Sequence, residues 1–176
     1  MVQFSKSLHC KNCRFKSHFF MKMNEKELEV INDKRIEIKF RKGEIMCKQD
    51  TAPSHLIYLV SGLAKLYIEG NNSVTLQILT PGNYIGLQTI FGEDVFSENF
   101  FPYSVTAIED SLACFIDINS FKGIVRNNPG FSYELINYIS AKEKILYDKF
   151  RNITQKNSRG RIADVLIYLT DIYGSQ

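Results

Sequence analysis

Two cysteines, Cys10 and Cys13, stand three positions apart in the basic stretch HCKNCRF, and they are the residues best suited to do chemistry. A thiolate pair at this spacing can bind a metal or cycle between dithiol and disulfide. A zinc site completed by a histidine is one interpretation, although a second ligand pair at zinc-finger spacing is absent. Lys11 and Arg14 are expected to lower the pKa of the thiols, which favours a redox pair. The simplest interpretation is two reduced, exposed thiols without metal.

The remaining candidates for chemistry give no pattern of an active site. The histidines His9, His18 and His55 have no nucleophile or paired carboxylate at a recognisable spacing, so we expect no enzyme. Four cysteines in 176 residues are too few and too unevenly spaced for a secreted disulfide framework. The sequence contains no uninterrupted apolar run of about 18 residues and no apolar signal core. We therefore expect a cytoplasmic protein with no membrane association.

Charge is distributed unevenly along the chain, although the net charge is only +3. Residues 51–121 carry one lysine against seven acids, a net charge of −6. Residues 1–50 carry 12 basic and seven acidic residues, and residues 122–176 carry nine and five, which gives +5 and +4. The two ends could therefore face a polyanion, whereas the middle could not.

The hydrophobic pattern predicts a β-rich middle. Asn24 and Glu27 are typical of a capping box at the start of a helix that buries Leu28 and Ile31. Alternating or apolar runs separated by glycine turns then predict strands at 35–40, 55–60, 63–68, 74–79, 104–108 and 112–116. Many short strands at such spacing indicate an antiparallel barrel or sandwich.

From residue 119 the period becomes helical, with a short helix before Pro129 and a long helix over 131–153. The apolar arc of the long helix spans about 200°, which is wider than one neighbour requires. We therefore expect a parallel homodimer helix. Its predicted seam consists of Leu135, Tyr138, Ile139, Lys142, Ile145, Leu146 and Ile153. A further helix is predicted to begin at Ser158.

This order of elements resembles the CRP/FNR family of bacterial transcription regulators. The motifs that carry the resemblance are RKGE at 41–44, YLVSGLAK at 58–65, LTPGNYIG at 79–86 and GRIA at 160–163. The resemblance implies a fold that is mainly β plus α: a double-stranded β-helix (jelly-roll) barrel of the cyclic-nucleotide-binding type, followed by a long dimerisation helix. The domains implied are a cysteine-containing tail (1–22), the barrel (23–128), the dimer helix (129–156) and the start of a winged helix-turn-helix domain (157–176).

The function implied is the sensory and dimerisation part of a DNA-binding regulator. The chain would stop within the first helix of the DNA-binding domain, so we expect the full-length protein to bind DNA and this chain not to bind an operator specifically. The alternative is a stand-alone small-molecule-binding module without a DNA role.

The effector pocket implied by the resemblance does not suit a cyclic nucleotide. Leu87 stands where the family carries a glutamate for the ribose, and the place of the phosphate-binding arginine falls near Phe101 and Pro102. No lysine or arginine occurs between Lys65 and Lys122, so a cyclic phosphate would lack a counter-charge and cyclic AMP is not expected. The effector remains unassigned. Aromatic residues either line an apolar pocket or simply fill the barrel mouth: Phe91, Phe96, Phe100, Phe101 and Tyr103. The pocket positions are Gly82, Tyr84, Ile85, Gly86, Leu87, Phe101, Tyr103 and Ser104.

In the FNR branch of the family four cysteines hold an iron–sulfur cluster. Cys10, Cys13 and Cys114 match three of these positions, and Phe19 stands at the fourth. The candidates for a substitute ligand are His9, His18 and Cys47. We expect no cofactor; a redox pair is the second interpretation and a cluster at the three cysteines is the third.

Overall fold

The computed structural model describes residues 9–13, 15–91, 100–155 and 158–173, and it divides into two compact units, Met1–Phe131 and Ser132–Gln176. The first unit holds eight strands, which are β1 (Ile36–Phe40), β2 (Ile45–Cys47), β3 (His55–Ser61), β4 (Ala64–Ile68), β5 (Val74–Leu79), β6 (Tyr84–Ile85), β7 (Ser104–Ala107) and β8 (Ser111–Asp117). The helices are α1 (Glu25–Lys34), α2 (Ile118–Asn127), α3 (Pro129–Gln155) and α4 (Ser158–Tyr173). Short 3-10 helices occupy Cys10–Asn12, Phe19–Lys22 and Leu87–Thr89.

The strands form two antiparallel four-stranded sheets, ordered β1-β8-β3-β6 and β2-β7-β4-β5. This arrangement confirms the predicted jelly-roll barrel and long helix. The buried core lies between the sheets and draws alternate residues of facing strands, including Ile57, Leu59, Ala113 and Val105. The short strands β2 and β6 were not predicted, because two or three residues carry no readable period.

Helix α1 begins as its sequence predicts. The Asn24 backbone N–H donates to Glu27 Oε2 at 2.8 Å, and the Glu27 N–H donates to Asn24 Oδ1 at 3.0 Å, which completes the capping box. Leu28 and Ile31 are its buried residues, as expected. Helix α3 begins earlier than predicted, at Pro129, because proline suits the first helical position, where its missing N–H costs nothing.

An aromatic cluster joins the N-terminal segment (residues 9–22, with Arg14 outside the described residues) to the start of α3. The Phe19 ring lies 5.4 Å from Phe131 and 5.0 Å from Tyr84, and Phe121 lies 5.5 Å from Phe131. Phe19, Phe121 and Phe131 are fully buried. Aromatic pairs at these separations contribute beyond their buried area, so this cluster fixes the segment on the barrel.

The turn between β5 and the 3-10 helix Leu87–Thr89 contains two glycines with left-handed backbone, Gly82 at φ 92° and Gly86 at φ 85°. A Cβ at Gly86 would lie 2.7 Å from Phe101 Cε1, whereas a Cβ at Gly82 would meet nothing within 4 Å. Gly86 therefore has a packing role as well as a conformational one.

In the described part of the second unit, the rest of α3 and α4 display many exposed apolar side chains. Those of α3 include Ile136, Ile139, Ile145, Leu146, Tyr147 and Phe150, and those of α4 include Ile162, Val165, Leu166 and Ile167. None of the helices among the described residues combines the length and apolar character that crossing a bilayer requires.

We predict that Phe19→Ala destabilises the protein by about 3–5 kcal/mol, because it leaves a cavity in the aromatic cluster. Met21→Ala is the matched control: it lies in the same short helix but is 66% exposed, so it should change stability by about 0.5 kcal/mol or less. Urea unfolding followed by circular dichroism measures both. Equal losses for the two variants would show that the cluster does not hold the segment.

We also predict that Gly86→Ala costs about 3 kcal/mol, and Gly82→Ala about 1 kcal/mol. Both variants carry the strain of a left-handed alanine, and only the first also pushes against the Phe101 ring. The difference in urea midpoint isolates the packing contribution. A Gly86→Ala variant as stable as Gly82→Ala would contradict the close approach of Phe101.

Candidate functional site

Four side chains form a row across the outer face of the first sheet, on the side opposite the barrel core. The strand register aligns Glu37 on β1 with Cys114 on β8, Cys114 with Tyr58 on β3, and Tyr58 with Tyr84 on β6. Their chain neighbours Ile38, Ala113, Ile57 and Ile85 face the core instead, as strand alternation requires. We call these four residues the outer row.

The N-terminal segment covers the outer row. The Tyr58 hydroxyl donates to the backbone carbonyl of Phe15, and the Tyr84 hydroxyl lies 2.8 Å from Ser17 Oγ. The Cys10 backbone N–H donates to Asn32 Oδ1 on α1 at 3.1 Å. These contacts bring a segment that precedes the barrel in sequence onto the face that carries Cys114.

A buried ion pair lies at the other end of the row. Arg35 and Glu37 are 4% and 5% exposed, and Arg35 Nη1 donates to Glu37 Oε1. The same nitrogen donates to Cys114 Sγ at 3.4 Å, and the guanidinium also interacts with the Cys10 thiol. Arg35 therefore links two of the predicted cysteines. The sequence analysis did not single it out, and its only signal was a charged residue at the start of an alternating strand.

The three predicted cysteines lie together. Cys10, Cys13 and Cys114 line one cavity of about 40 Å³ with Arg35 and Tyr58. All are free thiols.

The expectation of exposed, acidic thiols is wrong for Cys10, which is 8% exposed. Burial raises the pKa of the Cys10 thiol, and the charge of Arg35 opposes that rise. Burial likewise raises the pKa of Cys114 to about 12 against the influence of Arg35. Lys11 pairs instead with Glu25 at 2.8 Å on the surface, and Arg14 lies outside the described residues.

The donor set does not fit a four-iron cluster. Phe19, at the fourth cysteine position, is buried among aromatic rings, and Cys47 lies inside the barrel core. His9 accepts the Lys11 backbone N–H at 3.1 Å, and His18 is exposed at the start of a 3-10 helix. Across 9–13, 15–91, 100–155 and 158–173, no group of three or more His, Cys, Asp or Glu side chains is placed to hold a metal ion.

Two of the predicted effector-pocket residues, Tyr103 and Phe101, pack against a third, Gly86. Tyr103 is buried, and its hydroxyl accepts the Gly86 backbone N–H at 3.0 Å and the Gln88 Nε2 at 2.6 Å. Phe101 is also buried and packs against Gly86. Burial raises the pKa of Tyr103 to about 12, so its phenol is neutral at physiological pH. Gln88, which the sequence analysis did not select, supplies the second donor.

The other pocket positions lie in three different environments. Ile85 and Leu87 are buried, and the Gly82 N–H donates to the Leu59 carbonyl on β3 at 2.9 Å. Tyr84 points to the N-terminal segment as part of the outer row, so it is not brought together with Tyr103. Ser104 is fully buried and donates to Glu69 Oε1 at 2.5 Å.

The remaining aromatics near this region differ from Phe101 and Tyr103. Phe91 and Phe100 are exposed, and Phe96 lies outside the described residues. The described aromatics therefore fill the barrel mouth at two positions and face solvent at two others.

Comparison with known proteins places this architecture in a family. The sequence model of the cyclic nucleotide-binding domain family matches residues 37–128. The "Anaerobic regulatory protein" of Bacillus subtilis (strain 168) is 25% identical over 150 residues, which is 84% of this chain and 60% of that protein. The chain thus spans less than two thirds of the length of that relative.

Solved structures show the same fold. A putative transcriptional regulator of the crp/fnr family from Eubacterium rectale superposes with a TM-score of 0.74 at 19% identity, covering 89% of this chain and 72% of that one. The sensor domain of the transcriptional regulator DNR from Pseudomonas aeruginosa superposes with a TM-score of 0.61 at 15% identity, covering 71% and 86%. The resemblance to CRP/FNR regulators is confirmed, and the chain belongs to the cyclic nucleotide-binding domain family.

Proposed function

We propose that this chain is the sensory and dimerisation part of a CRP/FNR-type DNA-binding transcription regulator that acts in the cytoplasm. The observation that carries the proposal is a barrel of this family followed by a 27-residue helix with exposed apolar side chains. An effector or redox signal at the barrel would be transmitted through α3. The comparisons support a regulator or binding protein, since none of the proteins named above is an enzyme.

The proposed partner of α3 is a second copy of the same helix. Ile139 and Leu146 are seven residues apart and lie on one face, and Ile145 lies about 100° around the helix from Leu146, at the edge of that face. Their exposed fractions are 41%, 52% and 49%, which is high for aliphatic side chains. A parallel copy would cover such a stripe by knobs-into-holes packing.

The other predicted seam residues contribute differently. Leu135 is buried within the single chain, and Tyr138 is half-buried with the Lys142 ammonium 5.4 Å from its ring centroid. The side chain of Ile153 lies outside the described residues. We therefore place the centre of the proposed seam at Ile139 and Leu146, with Ile145 at its edge.

We propose that the whole regulator binds DNA through a helix-turn-helix unit that includes α4. A helix-turn-helix unit reads the major groove with its second helix. Helix α4 (Ser158–Tyr173) would be the first helix of such a unit. We therefore expect the 176-residue chain to show no operator-specific binding.

Cyclic AMP is not the proposed effector. Tyr103 and Phe101 occupy the space against Gly86, and residues 66–121 contain no lysine or arginine to pair a phosphate. Burying an unpaired phosphate there would cost several kcal/mol.

The dimer proposal predicts that Leu146→Asp converts a dimer into a monomer, because an unpaired carboxylate buried at the centre of the seam is strongly destabilising. Ser140→Asp is the matched control: it adds the same charge at an exposed position about 120° around the helix from Leu146. Light scattering coupled to size exclusion measures the mass of each variant. A monomeric wild-type chain, or a dimeric Leu146→Asp variant, would contradict the proposed seam.

The effector proposal predicts no heat of binding when cyclic AMP is titrated into the chain at micromolar concentration. Tyr103→Ala, which removes the hydroxyl from the Gly86 amide, tests whether the ring is what excludes the nucleotide. We expect no binding to this variant either, because the missing counter-charge remains missing. A micromolar Kd for the wild-type chain would contradict the proposal.

A further inference from the structure

The cavity between the N-terminal segment and β8 holds a cluster that the proposed regulator function does not use. Cys10, Cys13, Arg35 and Cys114 line it together. Arg35 Nη1 donates a hydrogen bond to Cys114 Sγ at 3.4 Å, and the guanidinium interacts electrostatically with the thiol of Cys10. A thiol from the segment and a thiol from the barrel thus line one cavity beside the same guanidinium.

The charges of this cluster already balance without a metal. Arg35 and Glu37 form a buried ion pair of net charge zero. A metal ion would bind the cysteines as thiolates, and across the described residues no group of three or more His, Cys, Asp or Glu side chains is placed to hold one. A disulfide adds no charge, so oxidation would leave the Arg35–Glu37 pair intact.

We propose that Cys10 and Cys114 are the two halves of a metal-free redox site, which a hydroperoxide closes into an intramolecular disulfide. The new bond fastens the N-terminal segment to β8. This inference goes beyond the proposed regulator function and does not depend on it.

The chemistry balances with hydrogen peroxide as the oxidant. The Cys10 sulfur gives an electron pair to one peroxide oxygen, the O–O bond breaks, and one water leaves with the thiol proton. The Cys114 sulfur then attacks the resulting sulfenic acid, the S–O bond breaks, and a second water carries away the Cys114 proton. Two thiols are oxidised to one disulfide while one peroxide is reduced to two waters. Arg35 favours the thiolate form that reacts, and burial makes the reaction slower than at an exposed thiol.

The geometry favours Cys114 as the partner of Cys10. Cys114 Sγ accepts a hydrogen bond from Arg35 Nη1 at 3.4 Å, and Cys10 lines the same cavity beside this guanidinium. Cys10 lies in a 3-10 helix of only three residues, so its backbone is held by few helical hydrogen bonds. A disulfide requires Cα atoms about 4.4–6.8 Å apart.

The test uses the full 176-residue chain, purified reduced and treated with one equivalent of hydrogen peroxide. Peptide mapping without reductant should show one cross-linked pair containing Cys10 and Cys114, lighter by two hydrogens than the separate peptides. Thiol titration should fall from four free thiols to two. The melting temperature should rise by roughly 10 °C, since the bond closes a loop of about 100 residues.

Matched variants separate this site from the other cysteines. Cys13→Ala and Cys47→Ala should keep the cross-link and the rise in Tm, whereas Cys10→Ala and Cys114→Ala should lose both while remaining folded when reduced. A Cys10–Cys13 disulfide or a disulfide between two chains would overturn the proposal. Iron or zinc at one equivalent or more in anaerobically purified protein would overturn its metal-free character.

Discussion

The buried Arg35–Glu37 ion pair is the interaction on which the electrostatics beneath the N-terminal segment depend. Each charge alone would be costly inside the protein, and each is compensated by the other. Their pairing lets a guanidinium lie beneath the segment, where it reaches Cys10 and Cys114. The pair therefore determines the charged environment of these thiols, while the aromatic cluster around Phe19 holds the segment.

The barrel interior follows a different physical rule. A ligand pocket in a barrel needs empty space and polar groups that are available to hydrogen-bond to the ligand. Here the Gly86 backbone amide and the Gln88 side-chain amide already donate hydrogen bonds to the Tyr103 hydroxyl. The fold is that of a cyclic-nucleotide-binding domain, whereas the contacts at Gly86 are those of a packed core. The fold of this domain therefore does not by itself determine what it binds, as is true of many widely used folds.

Much of the fold could be predicted from the sequence, because the capping box of Asn24 and Glu27, the glycine turns and the alternating strands are local signals. The grouping of Cys10, Cys13 and Cys114 was expected only through the family resemblance. Their environment was not predictable. Glu37 alternates with core residues and so resembles an exposed strand residue, and it is buried because a segment some 25 positions earlier covers it. Such burial depends on tertiary packing, which no local sequence pattern encodes. The same reason explains why Cys10 was wrongly expected to be exposed, since its basic neighbours in the sequence do not reveal that it is buried.

The hydroxyl of Tyr103 has a consequence for any molecule that enters the barrel. Because it is tethered to the chain that it fills, it acts as a competitor whose effective concentration is on the order of millimolar or above and does not change with metabolism. A metabolite would have to displace the Tyr103 hydroxyl before it could hydrogen-bond to the Gly86 amide. The affinity of an effector at this position is therefore lowered by the free energy that the displacement costs.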